Sequence, residues 1–360
     1  MSPVRTRLTG VATVARLEFQ LRIRAGRWRW LVAAWFAVLL AITALVRTAI
    51  LAETLDAETA RARGAVIFGV LMLIVLALAL LVAPTLSAQS INGDRERGTL
   101  ATLQVTRLGA AEIAIGKLLA AWGTAVVFLL VTLPLAVWCY VDGGLSVLRV
   151  GGVYLVMALL LGVVAAISLA LSAMLARTTT SGVLAYLTVF ALSVGTLIAF
   201  GLATLITQDH KPATTQYCDY TSRGDQQVQT CQQHAYRASI TRMDRTRWLL
   251  APNPFAVLAD SAPAGPTRKV RLADGRVVKE ASTVDPLGAF SRSLHRIRAR
   301  PVATTDESGT TYQVPDGATG GAVWPTGLGI DLLIAAGAVV VTTRRLRTPT
   351  YRLARGQRIA

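Results

Sequence analysis

Long apolar stretches alternate along the chain with polar segments of very different length. A transmembrane helix needs about 20 predominantly apolar residues, because the hydrocarbon core of a bilayer is about 30 Å thick. Six stretches have this length, and they cover residues 30–50, 65–87, 118–140, 150–175, 183–206 and 324–343. The pattern predicts an all-α membrane protein with six transmembrane helices, which we call spans 1 to 6 in chain order.

The N-terminal region, residues 1–29, has a different pattern. Val11, Val14, Leu17 and Leu21 share one face of a helix, with arginines on the opposite face. We predict an amphipathic elbow helix that lies along the membrane surface. Basic residues before an apolar stretch also resemble a signal peptide, but span 1 has full span length and no small-residue cleavage site follows it. We therefore interpret it as a retained first span.

The longest polar segment separates spans 5 and 6 and covers residues 207–323. We predict a large extracytoplasmic loop region there. Residues 248–264 are apolar, but they are too short and too broken by proline to form a span. Residues 286–300 repeat apolar side chains every three or four positions, which predicts a basic amphipathic helix.

Charge placement predicts an orientation for these spans. The net charge is +17, and residues 5–29 and the tail at 344–360 each contribute +6. Because basic residues beside spans favour the cytoplasmic side, we expect a multi-pass plasma-membrane protein with both termini in the cytoplasm. A composition of 53% hydrophobic and 16% charged residues excludes a water-soluble domain. Basic clusters that flank spans indicate the lipid bilayer as a partner and argue against nucleic acid.

The segment between spans 2 and 3, residues 88–117, combines charges, a turn and leucines. Four charged residues are followed by Gly98, which can turn the chain, and by Thr99, which can cap a second helix. A short helix that offers both charges and leucines is suited to press on a partner protein. A charge run that is merely solvated beside the membrane is the alternative interpretation. The candidate coupling residues are Asp94, Arg95, Glu96, Arg97, Gly98, Thr99, Leu100 and Leu103.

This segment resembles the motif that follows span 2 in the permease subunits of ABC type-2 exporters, close to (D/E)RE-x-GTLE-x-L-x-x-TP before a Gly-Lys pair. Ala101 stands where the family usually has Glu, and Arg107 stands where it usually has Pro. The matching residues are Arg95, Glu96, Gly98, Thr99, Leu100, Leu103, Thr106, Gly116 and Lys117.

The resemblance implies a mechanism and partners. In that family the permease dimerises, and the helix after span 2 docks on a separate nucleotide-binding subunit, present in two copies. ATP and Mg²⁺ would then be bound by that subunit, with no cofactor on this chain. The second permease is either an identical or a different chain. The alternative function belongs to another class of protein. It is a membrane-anchored receptor or assembly factor that acts through its extracytoplasmic loop.

No catalytic motif accompanies these features. A phosphate-binding loop needs G-x-x-x-x-G-K-[ST], and Gly116-Lys117 is followed by Leu118 and lacks the upstream glycine. We therefore predict a transport subunit rather than an enzyme, with no catalytic residues of its own. Apolar spans with few polar groups suit a hydrophobic or amphipathic substrate such as a drug, a lipid or a peptide-like molecule, although contact with lipid alone demands the same composition.

Asp331 is a candidate intramembrane polar site, because an ionisable side chain inside a span is energetically costly and usually has a function. It either takes part in transport or forms a hydrogen bond between helices that Gly327 and Gly329 allow to pack closely.

Cys218 and Cys231 lie in the extracytoplasmic loop and predict a disulfide, because that compartment is oxidising. A metal site formed with His210 and His234 is the alternative, although the spacing is irregular for zinc. We otherwise predict no metal.

Overall fold

The computed structural model describes residues 3–24, 26–52, 62–100, 108–223, 226–262, 267–271, 277–281, 285–306, 309–313 and 322–347. The helices are α1 Pro3–Arg24, α2 Arg27–Ala52, α3 Arg63–Ser87, α4 Asn92–Glu96, α5 Ala110–Leu130, α6 Leu133–Val141, α7 Val147–Met174, α8 Thr178–Phe190, α9 Thr196–Ile206, α10 Met243–Thr246, α11 Pro254–Ser261, α12 Pro286–Arg298 and α13 Trp324–Leu346. The strands are β1 Gln208–Arg223, β2 Gln226–Thr241, β3 Thr267–Arg271, β4 Val277–Ala281, β5 Val302–Asp306 and β6 Gly309–Gln313. Leu103 and the tail beyond Arg347 lie outside the described residues.

Six helical segments are long and apolar enough to cross a membrane, which confirms the six predicted spans. They cover Trp28–Ala52, Arg63–Glu96, Ala110–Val141, Val147–Met174, Thr178–Ile206 and Trp324–Leu346. Helices suit a lipid environment because each satisfies its own backbone hydrogen bonds. Each segment is longer than the predicted apolar stretch, because polar residues at one or both ends belong to the helical segment.

Spans 2 and 4 form the centre of the bundle. In their most apolar windows 61% and 67% of the residues are buried, whereas in spans 1 and 5 only 11% are. The exposed faces of spans 1 and 5 carry large apolar side chains, including Leu45, Val183 and Leu202. Such faces need lipid or another protein against them.

The bundle has two ends that differ in what covers them. We call the end that holds α1 and α4 the elbow end, and the end that holds α11 and α12 the loop end. Leu346 at the end of span 6 packs with Ile91 and Ala173 at the elbow end. Pro286 of α12 lies against Gly69 of span 2 at the loop end. Helix α12 therefore packs on span 2 at this end of the bundle.

The loop end contains strands as well as helices. The sheet has the order β2-β1-β6-β5, and β3 and β4 form a separate antiparallel pair. The predicted amphipathic helix at 286–300 is confirmed as α12, whose Leu287 and Leu294 are buried. The apolar residues at 248–264 do not form a span, as predicted, because they fold into a short 3₁₀ turn and α11 on the bundle.

Polar side chains fasten the loop end to the spans. Arg149 at the start of span 4 lies 2.5 Å from Asp285 before α12, and each side chain is 1% exposed. Asp260 of α11 accepts hydrogen bonds from the backbone N–H groups of Val323 and Trp324, where span 6 begins. The Asp260 carboxylate thereby satisfies backbone donors that the start of a helix otherwise leaves without partners.

Span 5 contains a π-helical segment at Ala191–Gly195. The carbonyl oxygen of Ser193 in this wider turn accepts hydrogen bonds from side chains. The side-chain amide of Asn253 donates to that oxygen at 2.7 Å and to the Thr196 hydroxyl at 2.8 Å. Asn253 also caps α11 by accepting from the backbone N–H groups of Phe255 and Ala256. One amide thus joins the loop end to the irregular part of span 5.

Candidate functional site

The predicted coupling segment begins where α3 ends at Ser87. The chain turns through residues 88–91, forms α4, and turns again at Gly98. Gly98 has φ 73°, a left-handed conformation that glycine adopts without a Cβ clash. The prediction that Gly98 turns the chain is therefore confirmed. Thr99 and Leu100 follow the turn in helical conformation, and the Thr99 hydroxyl donates to the Asp94 carbonyl at 3.3 Å.

Ser172 at the end of span 4 holds this segment in place. Its hydroxyl accepts from the backbone N–H groups of Ile91 at 3.0 Å and Asn92 at 3.2 Å. The same hydroxyl donates to the side-chain oxygen of Asn92 at 2.9 Å. The amide of the buried Asn92 in turn donates to the Arg177 carbonyl at 3.2 Å. The start of α4 is thereby fixed to the connection between spans 4 and 5.

Lys117 links the coupling segment to the elbow helix. Its ammonium group is 1% exposed and lies 2.5 Å from the Asp94 carboxylate. It also pairs with the Glu18 carboxylate of α1 and donates to the Ser90 carbonyl at 3.2 Å. We call Lys117, Glu18 and Asp94 the ion cluster. A buried ammonium needs such partners, because an unpaired charge in a protein interior costs several kcal/mol.

The elbow helix packs directly on span 3. Gly116 leaves room for α1, since a Cβ there would lie 2.6 Å from the Cβ of Val14. Arg22 of α1 donates to the Leu86 carbonyl at 2.8 Å and to the Thr124 hydroxyl at 3.4 Å. Burial lowers the pKa of the Arg22 guanidinium, and the nearby Glu18 carboxylate opposes that shift. Val14 of the predicted apolar face is buried here, whereas Leu17 and Leu21 are exposed.

Leu100 anchors the chain just after the turn at Gly98. It is 2% exposed and packs in a cluster at the elbow end. The other buried members of this cluster are Ile91, Ile113, Ala114, Leu169, Ala173 and Leu346. Spans 2, 3, 4 and 6 all contribute to it, so a displacement of Leu100 would be felt by four spans at once.

The charged residues of the segment divide into two groups. Asp94 and Arg95 point inward, the first to the ion cluster and the second to the Ala173 carbonyl at 3.2 Å. Glu96, Arg97, Gly98 and Thr99 are exposed, and the Arg97 side chain is 69% exposed. We call residues 96–99 the exposed turn. Glu96 also accepts from the backbone and hydroxyl of Thr178 at 3.2 and 3.4 Å.

Asp331 lies apart from this site, towards the loop end. It is buried and lines a cavity of about 10 Å³ with residues that include Leu80, Leu160 and Pro252. That volume suits about one water molecule and not a substrate. Gly327 packs closely as predicted, because a Cβ there would lie 2.2 Å from the Ala251 carbonyl oxygen. The prediction was wrong for Gly329, where a Cβ would meet open space within the described structure.

The sulfur atoms of Cys218 and Cys231 are joined in a disulfide across β1 and β2. The alternative metal site would need both thiols, and the disulfide takes them up. Among the described residues there is no group of three or more His, Cys, Asp or Glu side chains that could hold a metal ion.

Sequence reasoning missed the role of Lys117 and all of its partners. The motif drew attention to Gly116-Lys117 as a pair, but it did not indicate which groups meet the ammonium. Glu18 is the single acid among seven arginines at 5–29, and that anomaly was the available signal. Arg149 and Asp285 are separated by 136 positions, and no local pattern relates them.

Six apolar helices and an anchored charged segment define a multi-pass membrane protein. A family model described as ABC-2 family transporter protein matches residues 12–262, more than two thirds of the chain. The chain therefore belongs to the ABC-2 family of transporter proteins and is a permease subunit of an ABC transporter. The match includes the elbow helix from residue 12 onward, spans 1 to 5 and the coupling segment. None of the curated proteins compared with the chain matches it. Members of this family dimerise in general and work with an ABC ATPase.

Proposed function

We propose that the chain is the permease subunit of an ABC exporter and receives force from a separate ATPase through the exposed turn. Two permeases form the translocation pathway, and each meets one ATPase subunit, which binds ATP and Mg²⁺. The substrate is hydrophobic or amphipathic. The proposal places both termini and the elbow end in the cytoplasm, in agreement with the basic N-terminal region and tail.

The division of charges in the coupling segment is the observation that supports this proposal. The exposed turn offers Glu96 and Arg97 to a partner, while its inward side is held by Ser172, the ion cluster and Leu100. A push on the turn would be passed to spans 2, 3 and 4 and to the elbow helix, because rigid packed contacts join them. A merely solvated charge run needs no such anchoring.

The test is purification of the tagged full-length chain from native membranes, with measurement of ATP hydrolysis in the same sample. We expect an ABC ATPase with a phosphate-binding loop to co-purify in equal amount. Glu96→Lys should lower its retention or its permease-dependent hydrolysis at least about tenfold, because a like-charge contact that costs about 1.4 kcal/mol across the interface already has that effect.

Two variants control for side effects of the reversal. Thr178→Ala removes the hydroxyl that donates to Glu96 but keeps the exposed carboxylate, so hydrolysis should stay near wild type. Arg237→Glu reverses an exposed charge on β2 at the loop end and should have no effect. Absence of any ABC ATPase would defeat the proposal and favour a receptor or assembly factor. Equal losses in Glu96→Lys and Arg237→Glu would defeat the role of the exposed turn.

A further inference from the structure

A cavity of about 920 Å³ opens between α2 and α3 at the elbow end. Its volume lies in the range of about 300–1,000 Å³ that is typical of small-molecule sites. Val38 lies at its deep end, about 15 Å along α2 from Arg27 at 1.5 Å per residue. Span 1 is among the least buried spans, so the cavity opens sideways to the surroundings of the bundle. We call it the α2–α3 cavity.

The back of the α2–α3 cavity is an ordered aromatic surface. The Phe128 ring of α5 meets the rings of Trp28 and Trp35 edge to face, with centroids 5.2 and 5.4 Å apart. The indole N–H of Trp35 donates to the Phe128 carbonyl at 3.1 Å. Apolar side chains of both walls complete this deep part, namely Leu31, Val38, Leu78, Leu81 and Val82. The deep part therefore suits an alkyl chain or another extended apolar group.

The mouth of the cavity carries charges of both signs. Glu18, Asp94 and Glu96 line it together with Arg22 and Arg97. Lys117 lies behind Glu18 and Asp94 and balances the remaining negative charge. The three carboxylates would repel a purely anionic headgroup, and the two guanidinium groups would repel a purely cationic one. A headgroup with one positive and one negative group can pair with both.

We propose that the α2–α3 cavity binds a zwitterionic, lipid-like amphiphile from the leaflet at the elbow end, with its chain against Trp28, Trp35 and Phe128 and its headgroup at the charged mouth. The inference rests on the proposed transport function, because it takes this amphiphile to be cargo. The gradient from aromatic depth to charged mouth matches the polarity gradient of such a molecule. A second copy of the chain is a less suitable occupant, because one protein surface would have to cover both an apolar wall and a ring of paired charges.

The test is binding of single-chain amphiphiles to the delipidated full-length protein, measured by native mass spectrometry. The probes are lauroyl lysophosphatidylethanolamine, lauroyl lysophosphatidylglycerol and dodecyltrimethylammonium, which differ in headgroup charge. We expect the zwitterionic probe to bind about tenfold more tightly than the other two. Ala34→Trp places an indole in the cavity and should weaken binding of the zwitterionic probe about tenfold.

Ala33→Trp is the matched control, because Ala33 is also exposed on α2 but does not line the cavity. Equal affinities for the two variants, or for the three probes, would overturn the inference. Dimer dissociation in Ala34→Trp with unchanged binding would show that the cavity is a contact between copies, and would overturn it as well. An ABC ATPase that still co-purifies in that case leaves the proposed function intact. Conversely, Ala34-dependent binding without any ATPase would defeat only the proposed function.

Discussion

Lys117 shows how a single buried charge can join three elements that are distant in the chain. Its ammonium meets Asp94 of the coupling segment and Glu18 of the elbow helix, while its own backbone belongs to span 3. The Glu18 carboxylate thus ties the elbow helix to span 3, and the Asp94 carboxylate ties the coupling segment to it. Sequence patterns at residues 94–99 predicted the charged turn and the role of Gly98, because these depend on neighbouring residues. The partners of Lys117 depend on contacts across 99 and 23 positions, which a local pattern cannot contain.

Replacement of Lys117 by methionine tests the ion cluster. Methionine keeps an unbranched side chain of similar length, but it leaves two carboxylates facing each other with little access to water. We expect a loss of about 3 kcal/mol in the free energy of unfolding, because the loss of one member of a buried ion pair leaves the opposite charge buried without compensation. Thermal unfolding of the purified protein in detergent measures the change as a lower Tm. The triple variant Lys117→Met, Glu18→Gln, Asp94→Asn should recover part of it. A wild-type Tm for Lys117→Met alone would mean that the cluster contributes nothing to stability.

At the scale of elements, hydropathy located all six spans but none of the strands. Apolar length identifies a membrane helix because lipid offers its backbone no other hydrogen-bond partner. The strands β1 and β2 are mostly polar and lack the alternation of apolar and polar residues that reveals a half-buried strand. Their pairing depends on register, in which Cys218 lies opposite Cys231. The N-terminal residues do form a helix, but the predicted apolar face is only partly buried, at Val14.

Contact between the elbow helix and span 3 should depend on Gly116. A Cβ at this position would lie 2.6 Å from the Val14 Cβ and 3.1 Å from the Val11 carbonyl oxygen, so Gly116→Ala must displace α1. We expect a destabilisation of about 1–3 kcal/mol, as for other overpacked contacts. Gly123→Ala on the same helix is the control, because a Cβ there meets nothing within 4 Å and alanine favours helix. Thermal unfolding of both variants measures the difference. If Gly116→Ala proved as stable as Gly123→Ala, the close packing of α1 on span 3 would be refuted.

At the scale of the whole molecule, the two ends of the bundle are built for different tasks. The elbow end combines the exposed turn, the ion cluster and the mouth of the α2–α3 cavity within a few helical turns. The loop end is closed by α11 and α12, which are fastened through Asp260 and through the pair of Arg149 and Asp285. Force from a partner at the elbow end would act on spans whose opposite ends are tied to these helices. This arrangement suits a transporter that opens alternately at its two ends.

The orientation of the two ends in the membrane is the last prediction, and the exposed turn and Arg300 can report it. Arginine clusters at both termini favour the cytoplasmic side for the elbow end, which puts Arg97 inside and Arg300 outside the cell. Both side chains are largely exposed, at 69% and 83%, so a cysteine at either position should react with a membrane-impermeant maleimide that reaches it. We expect Arg300→Cys to be labelled on intact cells and Arg97→Cys only after permeabilisation. Background labelling of the native cysteines should be low, because Cys139 is buried and Cys218 and Cys231 are bonded to each other. Labelling of Arg97→Cys on intact cells would place the exposed turn where no cytoplasmic ATPase can reach it, and force could not enter the bundle there.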